Sequence, residues 1–303
     1  MFSTQYPPKS LKELGADLRR VALGTAYALR PVRIAVLPRV LVASLRHALR
    51  LERPDAALDG DRLPPPAARG FVGVAGSLDP ETLMRAFRRG YYPMGHIGPK
   101  KWWFNPERMV MPPHRMVREK DVRRAIRNRK FTVAFDAAFT EVMLACGEPR
   151  KGQVPLTWIT PDIVAAYEAL HREGHAHSFE AWNADGELVG GGFGIAVGPV
   201  FVIESQFTRE RNASKVAMAT LLAHLSRWGF ALADGKAHTG HLESLGFKTM
   251  PHDAFVAVIE AGPREVGAVG KWTVDPSIDP SQDWQPAPAF SPAAPAAASS
   301  AAA

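Results

Sequence analysis

The stretch HSFEAWNADGELVGGGFGIAVGPVFVIESQF, residues 177–207, decides the fold of this chain. Its apolar residues recur with a period near two, and Ala184-Asp185-Gly186 and Val197-Gly198-Pro199 punctuate it with turn residues, so it predicts three antiparallel strands. Directly afterwards the period lengthens. In NASKVAMATLLAHLSRWGF, residues 212–230, Val216, Met218, Leu221, Leu222, Leu225 and Trp228 form a buried stripe, and Asn212 or Ser214 serves as cap, which predicts a helix. FALADG then reads as a strand, HLESLGF as a short helix and DAFVAVIEA as a last strand.

Upstream, Asp79, Pro80 and Glu81 make a helix start and Gly90 a stop. That helix leads into YYPMGHIGPKKWWFNPERMVMPP, read as a loop. Tyr91, Tyr92, Trp102, Trp103 and Phe104 among Lys100, Lys101 and Arg108 suit base stacking and phosphate neutralisation, while the adjacent tryptophans suit equally the anchoring of a small core. Thr160 and Pro161 open a second helix that buries Ile163, Val164, Tyr167 and Leu170 and ends at Gly174. Residues 1–68 differ. They mix arginines with apolar clusters, are broken by Pro31 and Pro38, and run into the linker RLPPPAARG. This is expected to be a basic amphipathic arm on a membrane surface or RNA, a poorly structured extension, or an Arg-rich presequence. The expected divisions are 1–68 extension, 69–150 N-terminal domain, 151–265 catalytic domain and 266–303 a largely disordered Pro/Ala-rich tail.

The 303 residues are 46% hydrophobic, ample for a core, and carry a formal charge of +7, which makes a polyanion the first partner to test. No run reaches the roughly 18 apolar residues of a membrane span. Cys146 is the single cysteine, so an internal disulfide and a cysteine-built zinc site are excluded and a reducing cytoplasm is expected. His238 and His241 near Asp234 raise a metal reading, against which stands the crowding of three ligands on one turn with no fourth candidate. His175 and His177 are equally ambiguous.

The element order, antiparallel strands then long helix, strand, short helix and strand, resembles a GNAT-like acyltransferase domain within an α+β protein. Members of that fold hold coenzyme A on a Gly-rich loop. Here the corresponding TRERNASK contains no glycine, while Arg209, Arg211 and Lys215 suit a phosphodiester held by side-chain charge.

Six motifs in order, GFVGVAGSLDPETLMRAFRRGYYP, KWWFNPERMVMPP, LTWITPDIVAAYEALHREGHAHSFEAW, ELVGGGFGIAVGPVFVIESQF, RNASKVAM and HLESLGF, resemble the leucyl/phenylalanyl-tRNA-protein transferases over about residues 71–262. The resemblance implies transfer of an aminoacyl group, leucine or phenylalanine, from charged tRNA to the N-terminal amine of an acceptor protein, marking it for degradation. It implies no metal or organic cofactor, and a cytoplasmic monomer. By position, Glu204 and Asp234 match acids placed near the acceptor amine, Trp158 a tryptophan near the terminal adenosine, and Phe201 a wall of the donor side-chain pocket. Each has a structural alternative as a cap, ion-pair or core residue.

Departures from the family pattern are as informative. Lys236 stands where the family usually has a glutamine, the residue credited there with assisting amine deprotonation; a lysine is normally charged and suits instead the acidic site meant for the acceptor's cation. Met94 replaces a tryptophan, and Gly192 and Gln206 replace pocket methionines, so a roomier, more polar pocket and a different donor are expected. The alternatives are a GNAT-like acyltransferase with another donor, or a tRNA-binding relative without turnover.

Overall fold

The computed structural model describes residues 11–30, 34–59, 70–96, 98–149, 155–263, 266 and 270–282. Two helices, α1 (Leu11–Ala28) and α2 (Leu37–Ala48), with Pro38 in the first turn of α2, precede the body. The expected linker falls in residues 60–69, outside the described part.

The body opens with β1 (Phe71–Val74), α3 (Pro80–Arg88), β2 (Tyr92–Met94) and β3 (Lys101–Trp103). As the sequence predicts, Asp79 caps α3, accepting from the Thr82 amide at 2.8 Å, and Gly90 turns the chain at φ +68°. A Cβ on Gly90 would stand 2.6 Å from His252, so the position needs glycine twice over. The expected loop after it is instead β2, β3 and β4 (Glu107–Met111). These strands, of three to five residues, are too short for periodicity to register; Pro93 is accommodated because β2 is an edge of the three-stranded sheet β1-β3-β2.

The second sheet has seven strands in the order β10-β4-β9-β8-β7-β6-β5. It comprises β4, β5 (Thr132–Phe135), β6 (Ala176–Trp182), β7 (Leu188–Val197), β8 (Val200–Thr208), β9 (Leu232–Asp234) and β10 (Lys248–Pro251). The three antiparallel strands read from 177–207 are β6, β7 and β8. Because β4 and β5 are hydrogen-bonded members of this sheet, the expected division at residue 150 runs through a continuous sheet.

Between the strands lie α4 (Lys120–Arg127), α5 (Phe139–Gly147), α6 (Pro161–Arg172), α7 (Ala213–Arg227) and α8 (Gly240–Ser244), and α9 (His252–Ala261) follows β10. The last element is a helix where DAFVAVIEA suggested a strand. Its buried residues, His252, Phe255, Val256 and Ile259, recur at helical spacing, with Asp253 in the first turn where the dipole favours an acid. Two apolar clusters form the core. One gathers α5, α6 and α9 with Tyr167 and Phe193, the other α7 with Phe179, Phe201 and Trp272. Trp272, assigned from sequence to a disordered tail, is 1% exposed and stacks at 3.6 Å on His177, so the expected tail is packed at least through this point. His177 also meets Asp136 at 2.8 Å, which makes it a core residue. Residues 283–303 lie outside the described part.

Candidate functional site

The site begins with a defect in the sheet. β7 and β8 pair Phe193 with Ser205 and then Gly194 with Ile203, so Glu204 is the extra residue of a β-bulge. β9 runs parallel to β8 over Val200–Val202 alone and stops at Asp234. Beyond that point the two strands part around a cleft of about 640 Å3, lined by Glu204, Gln206, Arg209, Ser214, Gly235 and His241 among others.

Asp234 closes β9 and is fully buried against Arg108 of β4, which is 1% exposed and also donates to the Gly90 carbonyl at 3.1 Å. Its other carboxylate oxygen accepts the Lys236 amide at 2.8 Å. Lys236 sits at φ +65°, a left-handed conformation uncommon outside glycine, and β4 secures it: the Met109 amide donates to the Lys236 carbonyl at 3.1 Å and the Gly235 amide to the Met109 carbonyl at 2.7 Å. Asp234 therefore shapes the turn and does not face the cleft. Both its oxygens are engaged inside the protein, one on Arg108 and the other on the Lys236 amide.

Lys236 reaches the other acid. Its Nζ donates to Glu204 Oε2 at 2.7 Å and lies 5.0 Å from the centre of the Tyr92 ring and 5.3 Å from that of Trp158. Glu204 Oε1 and the Tyr167 hydroxyl are both buried with no hydrogen bond of good geometry to any other group, and the hydroxyl interacts with the Glu204 carboxylate. Burial, then the nearby Glu204 charge, raises the Tyr167 pKa well above that of an ordinary phenol, so this hydroxyl keeps its proton. Trp158 packs on Tyr167 and Phe193 with centroid distances of 6.0 and 6.3 Å. Glu204, Lys236 and Trp158 are thus brought together as candidate residues. Sequence reasoning gave Tyr167 no site role and read Arg108 as a phosphate-neutralising cation, whereas it is buried on Asp234; an arginine inside the apolar run of ERMVM, and a tyrosine on the apolar face of its helix, were the available signals.

Other expected residues stand elsewhere. Trp102 is fully buried and its indole N–H donates to Asp55 at 2.8 Å, so it offers no face to a base. Lys101 is 6% exposed, with Nζ on the Pro99 carbonyl at 2.7 Å. Lys100 is held by Thr160 at 2.9 Å and Asp162 at 3.2 Å. Trp103 and Met94 line a separate apolar cavity of about 460 Å3 against α1 and α2. Phe201 is fully buried beside Trp272, at 5.5 Å between ring centres, and belongs to the core. Gly192 adds no room: a Cβ there would stand 2.5 Å from the Ser205 carbonyl oxygen and 2.7 Å from Gln206 Cγ. Arg209, Arg211 and Lys215 pair with Glu148, Asp121 and Glu119, while Arg211 stays 81% exposed. Among the described residues no group of three or more His, Cys, Asp or Glu is arranged to hold a metal ion, and the Asp234 half of the suspected histidine site is spent on Arg108.

A family model described as leucyl/phenylalanyl-tRNA protein transferase matches residues 110–260. Curated relatives carrying that name include one from Aromatoleum aromaticum, 41% identical over 71% of this chain and 90% of its own length. Others are from Thiobacillus denitrificans, 41% identical over 68% and 90%, and Methylococcus capsulatus, 42% identical over 65% and 85%. A solved structure, L-PGS from Bacillus licheniformis, is similar at 13% identity and TM-score 0.28 over 51% of this chain and 49% of that one, too low to support an argument. On the strength of the curated relatives, the chain belongs to the leucyl/phenylalanyl-tRNA-protein transferase family, a family of aminoacyltransferases.

Proposed function

We propose that this chain moves an aminoacyl group, leucine or phenylalanine in line with the names of its relatives, from charged tRNA to the N-terminal amine of an acceptor protein. The amine nitrogen attacks the ester carbonyl carbon, a C–N bond forms, the C–O bond to the terminal ribose breaks, and the amine gives up a proton. The ester is already activated, so placing the two reactants together supplies most of the catalysis. The observation that carries the reading is the Glu204 carboxylate at the head of the β8–β9 cleft, with Lys236 on one oxygen and Tyr167 and Trp158 close by. An incoming amine hydrogen-bonds that carboxylate and hands its proton to it. The parting of β8 and β9 is also consistent with a GNAT-like core. Arg209, which lines the cleft, and Arg211 and Lys215 after it in the chain would exchange their acidic partners for tRNA phosphates. Marking acceptors for degradation in the cytoplasm completes the proposal.

The test is transfer of labelled leucine and phenylalanine from charged tRNA to peptides beginning with Arg, Lys, Asp, Glu or a neutral residue. Transfer to at least one peptide, lost in Glu204→Ala, is expected. Transfer that survives Glu204→Ala unchanged would remove the assigned role of this acid, and absence of transfer to every peptide would overturn the activity.

A second contact is proposed for the arm. Leu41, Val42 and Leu45 of α2 are 52–59% exposed on one side of the helix, with Arg39 and Arg46 exposed on the neighbouring side. This arrangement suits an anionic lipid surface. Flotation with anionic vesicles, expected for the full chain and reduced in Leu41→Glu/Leu45→Glu, tests it; equal flotation of both would overturn it.

A further inference from the structure

A carboxylate flanked by two aromatic faces is the chemistry of a cation-binding cage, and here the cage is filled by the chain's own side chain. Lys236 Nζ lies 2.7 Å from Glu204 Oε2, 5.0 Å from the Tyr92 ring centre and 5.3 Å from the Trp158 ring centre. The turn at residues 234–236 needs nothing from this side chain. Its left-handed conformation is held by the Asp234 side chain, whose Oδ1 accepts the Lys236 amide, and by main-chain bonds from Met109 to both Gly235 and Lys236. The ammonium is therefore free to leave the cage without undoing the turn. It also keeps contact with solvent: the Lys236 side chain is 14% exposed, against 1% for Glu204.

We propose that Lys236 is a tethered occupant of a cation subsite and sets which acceptors the chain accepts. The cage of Glu204, Tyr92 and Trp158 would take the cationic side chain of an acceptor's first residue, arginine or lysine, if it were empty. With Lys236 in place, such a cation must displace an ammonium of very high effective concentration or bring a second positive charge beside it. Acceptors with a neutral first side chain meet neither obstacle. The wild-type chain thus discriminates against basic N-termini, and removal of the ammonium opens the subsite to them. This inference rests on the proposed acceptor role of the cleft but is read by binding, without turnover.

The experiment is calorimetric titration of short peptides that differ only in their first residue, Arg or norleucine, into the full chain, Lys236→Ala, Lys236→Gln and Lys236→Arg. The expected result is no preference for the Arg peptide in wild type and in Lys236→Arg, and a preference of about tenfold or more in Lys236→Ala or Lys236→Gln that weakens with salt. Circular dichroism establishes that each variant is folded, and if Lys236→Ala is not, Lys236→Gln gives the same reading. Wild type already favouring the Arg peptide, or folded variants gaining no preference, would overturn the proposal. Loss of aminoacyl transfer with the binding switch intact would count against the proposed reaction and leave the cation subsite standing.

Discussion

Arg108 with Asp234 and Lys236 with Glu204 are two ion pairs built around the same turn, and they differ in how far the cation is buried. Side-chain exposure is 2% and 0% in the first pair and 14% and 1% in the second. The Arg108 guanidinium is walled in, with Phe255 at 4.5 Å over its face and Gly90 on one nitrogen. The Lys236 ammonium ends a flexible stem at the rim. The acid of the first pair builds the turn, and the acid of the second meets a cation that is partly open to solvent.

The sharpest way to break the comparison is to remove each cation in turn. Arg108→Met leaves the Asp234 carboxylate uncompensated in the core and should destabilise the protein by about 3 to 5 kcal/mol. Arg108→Met with Asp234→Leu should recover much of that loss, because an apolar pair of similar volume replaces a desolvated one. Urea midpoints at constant m value measure both. A cost below about 1 kcal/mol for Arg108→Met would remove the distinction between the pairs.

Next in size is an acid transition seated beside Arg108. Burial first, and then the Arg108 charge, lowers the His252 pKa from 6.5 to about 4. The folded state thus binds fewer protons here than the unfolded state between these values. The contribution to stability is complete above about pH 6.5 and is lost as pH falls toward 4, by an amount on the order of 2 to 3 kcal/mol. His252→Phe, which keeps a ring against Tyr91 and Phe104, should flatten that part of the stability profile. An unchanged profile would mean that other groups carry the acid sensitivity.

Much of the fold is legible in sequence because periodicity is local. The three strands of 177–207, α7 and α6 follow from spacing that one turn or one pleat imposes, and Asp79 announces its cap within three residues. The site is less legible. Asp234 and Arg108 are 126 positions apart, and no spacing rule links them before the strand order β4-β9-β8 is known. Glu204 and Lys236 are each visible through the family pattern, but a bulge in β8 decides that Glu204, and not Asp234, receives the lysine. Trp102 shows a choice that sequence leaves open: its neighbours suggested either a nucleic-acid surface or a core anchor, and Asp55, 47 residues upstream, binds its indole in the core.

A smaller effect is expected at the second pair. Lys236→Gln keeps a donor within reach of Glu204 and leaves Asp234, Gly235 and the main-chain turn untouched. Its cost in urea should be about 1 kcal/mol or less. A cost matching Arg108→Met would mean that Lys236 is structural, and a tethered cation that cannot leave its cage has no part in choosing acceptors.

The smallest effect sets the baseline for both pairs. Arg211 and Asp121 are joined across the surface, with side chains 81% and 53% exposed, so solvent screens their attraction and Arg211→Ala should change stability by no more than about 0.5 kcal/mol. If Arg211 trades Asp121 for a tRNA phosphate, the same variant should lower the slope of log affinity for charged tRNA against log salt by about one, without altering which amino acid is carried. A stability loss with an unchanged salt slope would make Arg211 a structural residue like Arg108. The opposite result would place it with Lys236, as a cation whose partner in the resting protein is exchanged when substrate arrives. Exposure would then predict role at three separate ion pairs, which is a stronger statement than any one of them supports alone.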